Sequence, residues 1–116
     1  MKREGPAEEI LFDGPIAVKA TGHAELHFDL RRGTRVRGLA RERTGQPFDL
    51  YIMDRRNYVR FARSHESQDL LAELDESLYD YKATIPRDDT WFVVIDTYGK
   101  INDREVWLEV RATAAA

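Results

Sequence analysis

The chain has 116 residues, 42% hydrophobic and 34% charged, the composition of one folded domain, too short for two cores and too apolar for a disordered chain. It contains no cysteine, which excludes a disulfide framework, a thiol nucleophile and a thiolate metal centre. A formal net charge of −3 argues against a dedicated nucleic-acid binder.

In chain order, residues 1–7 are a polar lead-in. The opening MKREGPAEEI carries charges with no apolar run behind them, so neither a signal peptide nor a membrane-spanning helix is expected. The reading is of a cytoplasmic protein, or of a piece of something larger. Glu8 to Asp13 is expected as a short first strand around Ile10 and Phe12, closed by a turn at Asp13-Gly14-Pro15. Ile16, Val18 and Ala20 then alternate with Ala17 and Lys19 until Thr21-Gly22. The next run alternates most cleanly: Ala24, Leu26, Phe28 and Leu30 point one way, His23, Glu25, His27, Asp29 and Arg31 the other. Arg32-Gly33 turns the chain, and Thr34 to Arg43 goes out again with Val36 and Ala40 inward. Past Thr44-Gly45-Gln46-Pro47, Phe48, Leu50 and Ile52 alternate with Asp49, Tyr51 and Met53.

Asp54 to Ser64 breaks the period of two. Tyr58 and Phe61 are three apart, the spacing of one or two helical turns pinned to the sheets by two aromatics. Ser67 to Glu76, with Leu70, Leu71 and Leu74, reads either as a helix capped by Ser67 or as an irregular crossover. Leu78 to Ile85 returns to alternation, with Tyr79, Tyr81, Ala83 and Ile85 sharing a face, and Pro86 ends it.

The densest aromatic and β-branched stretch is Thr90 to Val110, read as two strands joined by a polar loop. Trp91, Val93 and Ile95 alternate with Phe92, Val94 and Asp96, so both faces are apolar and the strand is expected to be covered on both sides. Asp96-Thr97-Tyr98-Gly99-Lys100 supplies the turn, with Gly99 able to adopt a positive φ. On the return strand, Glu105 to Arg111, Val106, Leu108 and Val110 face in, while Trp107 lies with the charges. Residues 8–111 therefore form a single all-β domain, an antiparallel β-sandwich of seven or eight strands, jelly-roll-like, with one short helical segment. Residues 112–116 are expected to fray. Strand parity puts Ala24, Leu26, Phe28, Leu30, Val36, Leu50, Ile52, Val93, Ile95, Val106, Leu108 and Val110 in the core.

The segments HFDLRRGTRVRG, FDLYIMDRRNYVRF, TWFVVIDTYGK and INDREVWLEV resemble successive strands of the GOLD-type (emp24-like) β-sandwich over roughly residues 23–111. Pre-peptidase C-terminal domains share the same look. The resemblance rests on positions that carry architecture. It implies a non-enzymatic module for protein or ligand recognition. The trafficking members' signal peptide, membrane helix and cysteines have no counterpart here, so the trafficking role is not carried over.

Catalytic and metal motifs are weak. His23 and His27 lie four apart on a strand, about 13 Å at the usual rise, too far for one ion, and read as solvent-facing. His65 has no partner at ligand spacing. The carboxylates Asp75, Glu76 and Asp80, or Asp88 and Asp89, lack the glycine punctuation of a calcium loop. Ser64, Ser67 and Ser77 have neither a nucleophile-elbow context nor an evident base. No metal, cofactor or catalytic residue is assigned.

Charge is more informative. Arg35, Arg37, Arg41 and Arg43 share parity and would form a stripe on one face of a strand. Glu66, Asp69, Glu73, Asp75, Glu76 and Asp80 form an opposing acidic block. The stripe is either a solvated face with weak ion pairs, a steering surface for a protein partner or a second copy, or a phosphate-binding surface without interleaved aromatics. Trp107, on the polar face, points to a partner surface, unless a loop or the N-terminal segment covers it. Two functional expectations follow. The first is a protein-interaction module, an accessory or adaptor domain, using Arg35, Arg37, Arg41, Arg43 and Trp107. The second is a lipid- or carbohydrate-binding module using Tyr58, Tyr79, Tyr81 or Tyr98 as a platform.

Overall fold

The computed structural model describes residues 7–20, 22–98 and 103–115. The alternating runs become eight strands: β1 (Glu8–Val18), β2 (His23–Leu30), β3 (Arg35–Glu42), β4 (Phe48–Asp54), β5 (Leu71–Glu76), β6 (Leu78–Thr84), β7 (Asp89–Asp96) and β8 (Arg104–Thr113), with one helix, α1 (Arg55–Ser64), after β4. They pair antiparallel into two four-stranded sheets, β1-β8-β3-β6 (sheet A) and β2-β7-β4-β5 (sheet B), the two-sheet layout of a jelly roll.

Period-two patterning sets the core. Val36 and Ala40 of β3, Leu50 and Ile52 of β4, Tyr79 and Tyr81 of β6, Val93 and Ile95 of β7, and Val106, Leu108 and Val110 of β8 are buried between the sheets. Ala24, Leu26, Phe28 and Leu30 join them as half-buried residues, because β2 is an edge strand with only its inner flank covered. The expected core residues therefore all lie in the interior or at its margin.

A second apolar layer lies outside sheet B. Asp54 caps α1 by accepting from the Asn57 backbone N–H at 2.9 Å. His65 ends it in the left-handed region (φ 58°), its N–H donating to the Phe61 carbonyl. At ten residues the helix is longer than expected. Phe61 packs with Met53, Phe92 and Val94, and Tyr58 stacks on Phe92 with centroids 4.3 Å apart. This layer is why β7 is buried on both faces from Trp91 to Ile95.

Gly38 allows an unusual crossing in sheet A. It sits opposite Tyr81 of β6, and the Tyr81 hydroxyl donates to the Glu109 carbonyl of β8 at 2.6 Å. A Cβ at position 38 would lie 1.8 Å from that carbonyl oxygen. Only a residue without a side chain lets β3 approach so closely. Nearby, Arg104 and Glu42 form a buried pair at 3.1 Å. Glu42 also accepts from Thr44 N, Thr44 Oγ1 and Gln46 N, and Arg104 donates to Pro47 O at 2.7 Å. The pair ties the loops at one end of the sandwich together.

Several expectations are corrected. Asp13-Gly14-Pro15 makes no turn: β1 runs through it, with Pro15 opposite Trp107. An edge strand accommodates proline because one of its flanks has no ladder to supply. Its irregularity falls instead between Ile10 and Phe12. Ser67–Glu76 holds no helix. Leu71–Glu76 is β5, and Ala72 and Leu71 pair with Tyr51 and Ile52. Leu70, Leu71 and Leu74 are spaced for a helix rather than for a strand, and the open flank of β4 overrides that spacing, leaving Leu71 half-buried and Leu74 exposed on the opposite face. The two strands of Thr90–Val110 are not neighbours: β7 lies in sheet B and β8 in sheet A. Of the connecting turn, Gly99 and Lys100 fall outside the described residues, as do residues 1–6 of the lead-in. Finally, β8 continues to Thr113 with Ala112 buried, past the expected end at Arg111.

Candidate protein-binding surface

The outer faces of the two sheets differ. Helix α1 covers part of sheet B, whereas no described element covers the outer face of sheet A. That face is built by parity from Arg35, Arg37, Leu39 and Arg41 of β3, Glu105, Trp107, Glu109 and Arg111 of β8, and Leu78, Asp80 and Lys82 of β6. Three of the four arginines of the expected stripe, Arg35, Arg37 and Arg41, lie on an inner strand of this uncovered sheet; Arg43 falls past the end of β3, in the turn that follows.

Its centre is Arg41. Trp107 lies directly across from it on β8 and Leu78 on β6, and Leu39 is two residues along β3 on the same face. Trp107 is 49% exposed, Leu39 47% and Leu78 55%. Neighbours directly opposite in such a sheet stand about 4.5–5.5 Å apart at Cβ, so these side chains form one patch. The indole Nε1–H of Trp107 donates to Asp13 Oδ1 at 2.9 Å, which holds the ring while leaving its surface open. Beside it runs a depression of about 570 Å³ lined by Arg41, Arg43, Ser77, Leu78, Glu105 and Trp107.

The four arginines are not equivalent. Arg37 is bidentate to Glu8, with Nε to Oε2 at 2.6 Å and Nη2 to Oε1 at 2.9 Å. That guanidinium hydrogen bond holds the Glu8 carboxyl below its ordinary range. Among the described residues no carboxylate lies within ion-pair distance of Arg35, Arg41 or Arg43. The uncompensated charge among the four arginines therefore lies in those three. The acidic block maps mainly to β5 and the loop before it, at the edge of sheet B; only Asp80, opposite Leu39, reaches the sheet A face.

The tyrosines expected as a ligand platform do not form one exposed surface. Tyr79 and Tyr81 are core residues, their hydroxyls donating to the carbonyls of Phe48 and Glu109; burial pushes Tyr79 up to about 12. Tyr58 projects from α1 and is stacked on Phe92 of β7. Tyr98 donates to Asp49 Oδ1 at 2.7 Å, where Asp49 also accepts from Tyr51 Oη and the Asp75 backbone. Inward parity accounts for Tyr79 and Tyr81, and the helix for Tyr58. The histidines are corrected too. His27 is exposed, but His23 is half-buried, 3.1 Å from Tyr58 Oη and edge-on to Phe61, with burial lowering its pKa. Among the described residues no group of three or more His, Asp or Glu side chains is placed to hold a metal ion, and no helix is long and apolar enough to cross a membrane.

Leu39 and Leu78 were missed as surface residues. The signal was present: each is an apolar residue at a polar parity, Leu39 among the arginines and Leu78 out of phase with Tyr79 and Tyr81. No protein-family model matches the chain, and no curated protein matches it.

Proposed function

We propose that this chain is a non-enzymatic protein-interaction module, an accessory or adaptor domain that presents the outer face of sheet A to a protein partner. The observation that carries the reading is Trp107, half-exposed and oriented by Asp13, beside Leu39, Leu78 and Arg41. Tryptophan and arginine around an apolar centre are the side chains that dominate binding energy at protein interfaces. The unpaired Arg35, Arg41 and Arg43 would steer encounter with an acidic partner surface. The strand resemblance to GOLD-type recognition sandwiches agrees with this reading without carrying it.

The test is quantitative binding of captured partners to the whole chain and its variants. Trp107→Ala should abolish binding while the fold survives. Arg35→Glu with Arg41→Glu should slow association and weaken its salt dependence. Reversing Arg37, already committed to Glu8, should do less. Binding indifferent to Trp107→Ala refutes the assignment of the surface. Tight binding to DNA or RNA that falls steeply with salt refutes the protein-partner reading.

A further inference from the structure

Sheet edges are where a fold invites another chain, and natural proteins interrupt them. Here β1 carries Pro15 and a register shift between Ile10 and Phe12. β5 carries a shift opposite Phe48 and Leu50, with Asp75 at φ 62°. Two edges run without interruption: β6, and β2, whose eight residues pair with β7 from His23 to Leu30 without a break. They differ in what lies beneath. The inward residues Tyr79 and Tyr81 of β6 are already buried. On the β2 side, Leu26, Phe28 and Leu30 remain half in water, as do Leu11, Phe12 and Ile16 of β1 across the sandwich. A hollow of about 870 Å³ lined partly by Leu11, Phe28 and Leu30 opens there. Pairing at β2 covers three large inward side chains, Leu26, Phe28 and Leu30, whereas the inward face of β6 has only Ala83 left to cover.

We propose that two copies of this chain pair through β2, antiparallel, about a two-fold axis at Leu26, joining their B sheets into one continuous sheet. Parity restricts the register, since inward residues must meet inward residues. With the axis at Leu26, Ala24 faces the second copy's Phe28, Glu25 faces its His27 and His23 faces its Asp29. Each polar pair joins a basic or hydrogen-bonding ring to a carboxylate. Within one chain Glu25 and His27 already meet at 3.0 Å, so the dimer would hold two such pairs side by side. Moving the axis to His27 keeps parity but sets Glu25 against Asp29, a like-charge pair that disfavours that register. A symmetric interface of this kind is self-complementary by construction. It lies on the other sheet from the Trp107 surface and does not depend on that surface's role.

The experiment is sedimentation equilibrium of the whole chain over a wide concentration series, with circular dichroism of every variant to establish folding. The expected mass rises from 13.5 kDa to twice that. His27→Glu places like charges opposite each other twice and should weaken the dimer on the order of tenfold. Glu25→Lys combined with His27→Glu should restore it, because opposite charges face each other again. Leu26→Cys supplies a second test in a chain without cysteine: mild oxidation should yield a covalent dimer. A monomer at every concentration overturns the proposal. So does a dimer indifferent to His27→Glu and not trapped through Leu26→Cys. A dimer lost instead on Lys82→Glu or Trp107→Ala would place the contact at β6 or on sheet A, and overturns it equally.

Discussion

Gly38→Ala is the sharpest perturbation of the sandwich. A Cβ there would meet Glu109 O at 1.8 Å, Glu109 C at 2.7 Å and Tyr81 Oη at 2.9 Å. Two of the three atoms are backbone of the neighbouring strand, so no rotamer change relieves the clash; β3 and β8 must separate. Overpacking of this kind costs about 1–3 kcal/mol. Separation also takes the Glu109 carbonyl from the Tyr81 hydroxyl, and an unsatisfied group on this 1%-exposed residue costs about 1–3 kcal/mol more. The sum, about 2–6 kcal/mol, is a large share of the roughly 5–15 kcal/mol a domain has. At about 4 °C per kcal/mol for this chain length, the melting temperature should fall by roughly 8–25 °C. Urea unfolding followed by the fluorescence of buried Trp91 measures it, with an unchanged slope confirming that stability alone has moved. Tyr81→Phe removes only the hydrogen bond and should cost less. The two changes together should cost less than their sum, since they act through the same carbonyl. A Gly38→Ala protein within about 0.5 kcal/mol of the parent would mean that β3 and β8 move apart freely, and would refute the reasoning.

The buried Glu42–Arg104 pair predicts an asymmetry under chemical denaturation. Glu42→Ala leaves the guanidinium uncompensated and three loop donors unmatched, and should cost about 3–5 kcal/mol; Arg104→Met leaves Glu42 its bonds from Thr44 and Gln46 and should cost less. His23 predicts a pH dependence. Burial holds its folded pKa below the ordinary 6.5, so its contribution is complete above about pH 6.5 and is lost as pH falls through the folded value. Hydrogen exchange of the α1 amides should accelerate over that range, and His23→Gln should remove this limb. The double change Arg35→Ala and Arg37→Ala should leave the melting temperature nearly unchanged, because both side chains are exposed and their charges are screened; a large drop would make them structural.

Where the sequence was legible, it was through parity. Period two set the inward residues of β3, β4, β6, β7 and β8, and it set the arginine face, because a one-residue slip would have reversed every side chain. The doubly apolar run from Trp91 to Ile95 correctly demanded cover on both sides, which α1 provides. Pairing was less legible. Nothing local says that β7 and β8 part into different sheets, since that depends on which strands stand ready on either side. The Asp13-Gly14-Pro15 signal was overridden because β8 offers β1 a partner along its whole length. The leucines at 70, 71 and 74 were spaced for a helix, and the vacant flank of β4 overrode that spacing. In the candidate site, Trp107 and the arginines were visible, while Leu39 and Leu78 were hidden by counting charges rather than reading parity. Arg37's commitment to Glu8 joins residues 29 apart and has no local signature.

The position of β8 also governs the order in which the fold can be completed. It lies between β1 and β3 and is, among the described residues, the only partner β1 has in sheet A, yet it is the last of the described strands. During synthesis, Glu8–Val18 is made before the other described strands and then waits for Arg104–Thr113. Its apolar flank, Leu11, Phe12 and Ile16, has no sheet to join until nearly the whole domain has been made. Sheet B and the β3–β6 pair can assemble earlier. The proline and register shift in β1 then take on a second meaning, as guards on a strand that spends the longest time unpaired.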